Sequence, residues 1–342
     1  MISVLLHFLA CSSAFVAPPD AVPRHSEAGL EGTGEDTAVG GDSAAPAESD
    51  TASDTAGIED DEPPETITPP PCDSYGSPEK TGVVADTNLN EISGVAFSWR
   101  NPGVLWVMED HAGANAVFAI DAAGNPLGQI VLDGVTNHDW EDLAVGPCGE
   151  ASCLFVGDIG DNDHDRTEHA ILRIEEPEVL LSGGLDLTIA PTSFPFLYPD
   201  GFWDSESLAI TPEGVPVLFT KEYDTEMSTA YTFGALVPDE VAILERRGRF
   251  ETGSSGEGGG AAATAADFWP DGSRLLLRTY GHVWEYTLTS GGLDEMSEAS
   301  RQERFTGAEG QGEAIGYDSA GRAFTTLSEG VNPAVWRVGC ED

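Results

Sequence analysis

The chain has 342 residues, 60 acidic and 15 basic, and a formal net charge of −45 at pH 7. A chain of this length accommodates one large β domain or two ordinary domains. Because it has no basic stripe to neutralise phosphates, its composition argues against nucleic acid as a partner.

The N terminus has the pattern of an export signal. Residues 2–10 form an apolar run that ends at Cys11. The run is too short to span a bilayer, which takes about 20 residues, but it suits the apolar core of a secretory signal. Small residues before a cysteine are typical of a bacterial lipoprotein signal, so we predict that residues 1–11 end in a lipidated Cys11. The alternative is a plain secretory signal or a wrongly assigned start, since Phe8 replaces the usual Leu and no basic residue precedes the run.

Residues 12–80 have the composition of a disordered acidic linker. They hold 16 acidic residues against Arg24 and Lys80, with few large apolar side chains. Such a segment cannot bury enough apolar surface to offset the entropy of ordering. Residues 81–342 keep 44 acidic and 13 basic residues, a net charge of about −31, so the folded part is itself strongly acidic.

The cysteines beyond Cys11 suggest two disulfides. Cys148 and Cys153 flank a tight polar turn, and Cys72 and Cys340 lie near the two ends of the expected folded part. An exported chain meets oxidising conditions, so we predict the pairs Cys148–Cys153 and Cys72–Cys340. Free buried cysteines are the alternative.

Beyond Lys80 the sequence consists of short β-type runs bounded by Gly, Pro, Asn and Asp. Five segments share one form, a polar residue with apolar residues two and four places later; they are 93–97, 141–145, 206–210, 264–268 and 313–317. The steps between them are 48, 65, 58 and 49 residues, about the size of a four-stranded propeller blade.

Further strand-like runs follow each segment, so we predict an all-β fold, a five-bladed β-propeller over residues 81–342. In blade three the predicted outer strand is 241–244. The last blade ends one strand short, and residues 81–85 supply a strand that closes the ring. The alternatives are a six-bladed ring, with an extra half-blade inside the 65-residue step, and a β-sandwich.

In a propeller the first strand of every blade lines the central channel, so the leading residues of the five segments should form a ring. The predicted ring is Ser93, Glu141, Glu206, Thr264 and Glu313. Three carboxylates facing one another raise one another's pKa unless a cation lies among them. Oxygen ligands of this kind suit Ca²⁺, whereas Zn²⁺ would need His or Cys. The alternative is a ring of hydrated channel residues without an ion.

The order Ser, Glu, Glu, hydroxyl, Glu resembles the calcium ring of the five-bladed calcium-dependent apyrases, secreted enzymes that hydrolyse nucleoside di- and triphosphates. The strands at 105–110 and 154–160 are similar to channel strands of that family. The chain is also similar to uncharacterised bacterial propellers described as phytase-like, through the sequence segments 140–145 and 157–162. We regard this second group as the nearer relative; it implies the fold but no settled activity.

The chain departs from the apyrase pattern at two positions where that family has a basic residue. His111 stands where an Arg is expected, and Asp161 where a Lys is expected. Lys221 and Arg278 remain, at the ends of the second strands of blades three and four. Surface ion pairs of little energetic weight are the alternative explanation for them.

If the chain is an enzyme, the resemblance implies a calcium-dependent phosphoester or phosphoanhydride hydrolase. Ca²⁺ would bind a phosphate oxygen, Asp110 or Asp158 would act as general base, and Lys221 and Arg278 would offset phosphoryl charge. Because two cations are replaced, we favour an extracytoplasmic, lipid-anchored, calcium-binding module that binds protein or glycan at the cell surface. The hydrolase, acting on a phosphorylated small molecule, is the alternative.

Overall fold

The computed structural model describes residues 70–110, 114–253 and 258–341. The predicted signal, Cys11 and the linker up to residue 69 lie outside the described residues. The regular secondary structure of the described part is all strand apart from two short 3-10 helices at Gly258–Ala261 and Gly292–Glu298. Within it, no helix is long and apolar enough to cross a membrane.

The strands fall into five sheets in chain order. Strand β1 (Glu79–Val83) comes first, and blade one follows with β2 (Ile92–Phe97), β3 (Val104–Glu109), β4 (Ala116–Asp121) and β5 (Pro126–Leu132). Blade two contains β6 (Trp140–Cys148), β7 (Ala151–Asp158), β8 (His169–Glu175) and β10 (Thr192–Leu197), with β9 (Leu185–Ile189) in the connection between the last two.

Blades three to five complete the set. Blade three contains β11 (Ser205–Ile210), β12 (Pro216–Thr220), β13 (Met227–Thr232) and β15 (Glu245–Glu251), with the short β14 (Ala242–Ile243) before its last strand. Blade four contains β16 (Ala263–Phe268), β17 (Arg274–Thr279), β18 (Val283–Thr287) and β19 (Ser300–Arg304). Blade five contains β20 (Gly312–Tyr317), β21 (Ala323–Ser328), β22 (Ala334–Gly339) and, from the start of the chain, β1.

The first strands of the five sheets contact one another in a closed circle. Strand β2 contacts β6, β6 contacts β11, β11 contacts β16, β16 contacts β20, and β20 returns to β2. An apolar cluster fills each gap between neighbouring sheets; Trp106 and Trp140, both fully buried, lie in the cluster between blades one and two. The prediction of an all-β, five-bladed propeller is therefore confirmed.

The long step between blades two and three does not hide a half-blade. Strand β9 instead returns to blade one and pairs in parallel with β5, which makes that sheet five-stranded. Strand β14 likewise pairs in parallel with β10 of blade two. The additional residues in these two long connections therefore add an edge strand to blade one and to blade two, and they form no sixth blade.

The predicted outer strand of blade three, 241–244, is wrong. Ala242 and Ile243 belong to the edge of blade two, and Leu244 is buried in the cluster between blades two and three. The outer strand of blade three is β15, which carries five charged residues among its seven and is mostly exposed. An outer strand needs little apolar burial, so the search for an apolar run selected the wrong segment.

The ring closes where the two ends of the described chain meet. Strand β1 pairs antiparallel with β22, through Lys80 opposite Trp336, and the predicted Cys72–Cys340 disulfide joins the same seam. The predicted Cys148–Cys153 disulfide is also present, across the turn between β6 and β7. Closure and both bridges are thus confirmed.

A buried carboxylate strengthens this seam. Glu285 of blade four is 2% exposed and accepts hydrogen bonds from the Tyr75 hydroxyl at 2.9 Å and the Tyr317 hydroxyl at 2.7 Å. Arg274 and Arg304 donate to its other oxygen. The N-terminal segment, blade four and blade five are therefore linked through one charged group, whose burial is compensated by several donors.

Buried aspartates also connect the innermost strands. Asp142 of β6 accepts the backbone N–H of Leu208 at 2.8 Å and of Ala266 at 3.2 Å, and so links blade two to blades three and four. Asp267 of β16 accepts the N–H of Tyr317 at 2.8 Å and links blade four to blade five. Burial raises the pKa of both carboxyls, in Asp267 to about 7.

We expect the two disulfides to contribute unequally to stability. In the chain-entropy account, stabilisation grows with the length of the closed loop. Cys72 and Cys340 are 268 residues apart, whereas Cys148 and Cys153 are 5 apart. Replacing the first pair by Ser should lower the free energy of unfolding by about 2–5 kcal/mol, and replacing the second by about 2 kcal/mol or less. Urea denaturation of both double variants measures this, and equal losses would contradict it.

Candidate metal centre

All five predicted ring residues lie at equivalent positions on the innermost strands. Each occupies a β-bulge, because the register with the second strand shifts across it: at Ile92/Gly94, Trp140/Asp142, Ser205/Ser207, Ala263/Ala265 and Gly312/Ala314. A bulge leaves its residue out of the hydrogen-bonded ladder and redirects its side chain. The same local device is thus repeated in all five blades, at the residues that begin the sequence repeat.

The three glutamates of the ring are almost completely buried and act on one another. Glu141, Glu206 and Glu313 are 3%, 5% and 4% exposed. Burial, and then the negative charges of Glu206 and Asp110, raise the pKa of Glu141 well above its ordinary value. Burial also raises the pKa of Glu206, to which Glu313 adds. Glu206 therefore acts electrostatically on Glu141, and Glu313 on Glu206.

The two hydroxyl residues of the ring are placed differently. The Ser93 hydroxyl lies 3.5 Å from Glu141 Oε2, so it belongs to the same cluster of oxygens. The Thr264 hydroxyl donates to the backbone carbonyl of Gly312 at 2.9 Å, in the neighbouring blade. Thr264 therefore joins two innermost strands, and its hydroxyl proton is used in that hydrogen bond.

Lys221 reaches the ring from the end of the second strand of blade three. Its ammonium group makes an ion pair with Glu206 Oε1, and its side chain is 7% exposed. Burial alone lowers the pKa of Lys221, but the Glu206 carboxylate outweighs burial and raises it above the ordinary value. The Tyr280 ring lies 5.4 Å from the ammonium nitrogen. Lys221 is therefore a charged group within the ring.

A second group of carboxylates lies beside Glu141. Oxygen atoms of Asp110, Asp139 and Glu141 lie within 4.8 Å of one another. A Cβ at Gly160 would lie 2.4 Å from Glu141 Oε1 and 2.5 Å from Asp139 Oδ2, so glycine permits the close approach of the β7–β8 loop. All three of these side chains offer oxygen, which is the kind of ligand that Ca²⁺ prefers.

Sequence reasoning did not include Asp139 in the site. It lies two residues before Glu141, and a polar residue occupies the same offset before three other ring positions: Glu91, Asp204 and Gln311. Gln311 donates to Glu313 Oε1 at 2.8 Å, so this offset also places a side chain against the ring in blade five. A repeat search extended by two residues would have found it.

Two of the four candidate catalytic residues are engaged in ion pairs outside the ring. Asp158 pairs with Arg166 at 2.7 Å and contacts His138 Nδ1 at 3.2 Å. Arg278 pairs with Glu309 at 2.7 Å, although its charge also lowers the pKa of Glu313. The remaining two, Asp110 and Lys221, lie in the carboxylate clusters already described. The arrangement that the hydrolase hypothesis needs, one aspartate as general base with Lys221 and Arg278 both unpaired and able to bind phosphate, is therefore not formed by these four side chains.

The two positions that depart from the apyrase pattern can be placed only in part. His111 lies outside the described residues. Asp161 is 2% exposed, and its Oδ1 accepts the backbone N–H groups of Asp165 and Arg166, which folds the loop after β7. Its own N–H donates to Asp204 at 2.8 Å. Asp161 therefore has a structural role in place of a phosphate-binding cation.

Comparisons with known proteins add little to this geometry. No family model matches the chain, and no curated protein matches it. Among solved structures, the crystal structure of a protein from Lactobacillus plantarum aligns at 12% identity and a TM-score of 0.37, covering 69% of this chain and 77% of that one. So distant an alignment carries no argument about function. The resemblance to apyrases and phytase-like propellers remains a prediction.

We expect the calcium-free protein to lose stability as the pH rises. Burial raises the pKa of Glu313 to about 8, from an ordinary value of 4.5. Between those values the folded state binds more protons than the unfolded state, so the free energy of unfolding falls with increasing pH, by at most about 1.4 kcal/mol per pH unit for one group. Melting curves in chelator from pH 5 to pH 9 measure the slope.

The matched variant for this pH series is Glu313→Gln. Its neutral amide keeps the shape of the side chain but cannot ionise, so the melting temperature should vary less with pH. An unchanged slope in the variant would show that Glu313 does not titrate in this range.

Proposed function

We propose that this chain is an extracytoplasmic calcium-binding β-propeller, anchored by a lipid on Cys11, that acts as a binding or scaffold module at the cell surface. The observation that carries the proposal is the set of three buried glutamates at equivalent bulges around one channel, with Lys221 paired to one of them. Like charges so placed require a compensating cation when they ionise.

The charge of the ring favours a divalent ion. The ring glutamates and the neighbouring Asp110 and Asp139 outnumber the nearby cations Lys221 and Arg278, so the ionised centre has a net negative charge that a divalent cation would reduce. Two like charges 4 Å apart repel by about 4 kcal/mol at an effective dielectric constant of about 20, so the stabilisation by an ion is large on the scale of folding. Ca²⁺ accepts carboxylates, hydroxyls and water together, whereas the ring offers no nitrogen or sulfur to Zn²⁺.

The cysteines support a location outside the cytoplasm. The two disulfides, Cys72–Cys340 and Cys148–Cys153, are of the kind that persists in oxidising compartments. The apolar run before Cys11 supports a lipid anchor. An acidic linker between such an anchor and the propeller would extend through self-repulsion and present the propeller away from the membrane.

The face that carries the centre favours binding over hydrolysis. Asp158 is paired with Arg166, and Arg278 is paired with Glu309 through Nη2, which reduces the support that these two residues give to phosphoryl transfer. By contrast, Tyr223 is 57% exposed and lines cavities of about 420 and 510 Å³. Large aromatic side chains with polar neighbours are typical of protein and ligand contact surfaces. A protein or glycan ligand fits this face better than a phosphorylated molecule does.

We expect calcium to raise the melting temperature of the full chain. An ion that binds only the folded form stabilises it by RT ln(1 + [L]/Kd), about 2.7 kcal/mol at a hundredfold excess over Kd. Melting curves in EGTA and then in excess calcium measure the shift. In the control variant Glu141→Gln the shift should shrink sharply. A wild-type melting temperature that does not respond to calcium would overturn the proposal.

The hydrolase alternative has its own test. Because the candidate cations are engaged in ion pairs, we expect no calcium-dependent phosphate release from ADP, GDP or phytate. A calcium-dependent phosphohydrolase of known activity serves as the positive control for phosphate release. Release that depends on calcium and is lost in Asp110→Asn would establish the hydrolase in place of the binding module.

A further inference from the structure

We propose that the calcium ion is held off the propeller axis, on blades one and two, by Asp110, Asp139 and Glu141, and that Lys221 serves as the built-in cation of the opposite half of the ring. This inference rests on the proposed function and goes beyond it, because it removes Glu313 from the ligand set and adds Asp139.

The blade one and blade two side gathers the oxygen atoms. Asp110, Asp139 and Glu141 bring their oxygens within 4.8 Å of one another, and the Ser93 hydroxyl lies 3.5 Å from Glu141 Oε2. Adjacent ligand oxygens of a single Ca²⁺, each about 2.3–2.6 Å from the ion, lie no farther apart than about 5 Å. The spacing therefore fits one ion.

The buried carboxylate next to this group supplies an independent indication. Glu206 Oε2 is buried and has no hydrogen-bond partner among the described residues, while Oε1 is paired with Lys221. Glu206 is also the charged neighbour that most strongly raises the pKa of Glu141. A cation beside Glu141 would attract this unsatisfied oxygen and relieve the repulsion between the two carboxylates.

The opposite half is already compensated by the protein. Lys221 pairs with Glu206 Oε1, and its charge also lowers the pKa of Glu313. Glu313 Oε1 accepts a hydrogen bond from Gln311 at 2.8 Å, and Arg278 adds a second positive charge nearby. An ion at the centre of the ring would lie close to the Lys221 ammonium and be repelled by it. The blade three to five side therefore repels a cation that the blade one and two side attracts.

Calcium titration calorimetry on the full chain, after treatment with chelator, tests the inference. Asp139→Asn should weaken calcium binding at least tenfold, because it removes the charge of a direct ligand. Glu313→Gln is the discriminating comparison, an isosteric change of a ring carboxylate on the other side; an ion held by Asp110, Asp139 and Glu141 should then bind with a Kd altered less than threefold, whereas an ion on the axis should bind at least tenfold more weakly. Melting curves in EGTA confirm that each variant is folded.

A third variant tests the role of Lys221. Lys221→Met keeps the apolar stem and removes the positive charge, so calcium should bind at least threefold more tightly or with a second equivalent. A Lys221 that served packing alone would leave affinity and stoichiometry unchanged, and that result would overturn its part in the inference.

The outcomes separate the inference from the function on which it rests. If Glu313→Gln weakens binding as much as Asp139→Asn does, the ion lies on the axis; the inference fails and the calcium-binding function stands. If wild type and Lys221→Met both bind no calcium, the function and the inference fail together. Tighter binding in Lys221→Met with weaker binding in Asp139→Asn supports the inference.

Discussion

Repulsion among buried carboxylates is the constraint on which the centre of this propeller depends. Five innermost strands meet around one channel, and three of them bring a glutamate to the same height. Each glutamate lies at a bulge, outside the main-chain hydrogen bonds of the sheet. Strand pairing therefore does nothing to offset the repulsion between the side-chain carboxylates. The fold therefore requires protons, an internal cation or a bound ion at the point where its blades converge.

Elsewhere the protein stabilises buried carboxylates with hydrogen bonds and ion pairs from its own side chains. Glu285 at the seam accepts hydrogen bonds from two tyrosine hydroxyls and two arginines. Glu176, buried between blades one and two, accepts hydrogen bonds from the Trp106 indole at 2.8 Å and the Ser152 hydroxyl at 2.6 Å. Those hubs are satisfied without a ligand. At the centre Lys221 pairs with Glu206 Oε1, while Glu206 Oε2 is buried without a hydrogen-bond partner among the described residues, so the centre differs from the hubs in being incompletely satisfied.

Much of the fold could be predicted from the sequence because the repeat lies in the most buried strands. The segments beginning at Ser93, Glu141, Glu206, Thr264 and Glu313 share a leading polar residue and apolar residues two and four places later, and nearly all of these residues are buried. Outer strands have no such requirement. Strand β15 is rich in charge and was missed, and β9 and β14 pair with a preceding blade, a choice that only tertiary contacts make.

The ring could be predicted, but its partition into two halves could not. Sequence periodicity identifies which residues share a height, because equivalent positions recur once per blade. It does not indicate that Lys221 turns inward to Glu206 while Arg278 turns to Glu309, since both end the second strand of a blade. Where one lysine enters a ring of acids, the symmetry of the blades is broken. The position proposed for the ion follows from where the positive charge already is, and not from the axis of the fold.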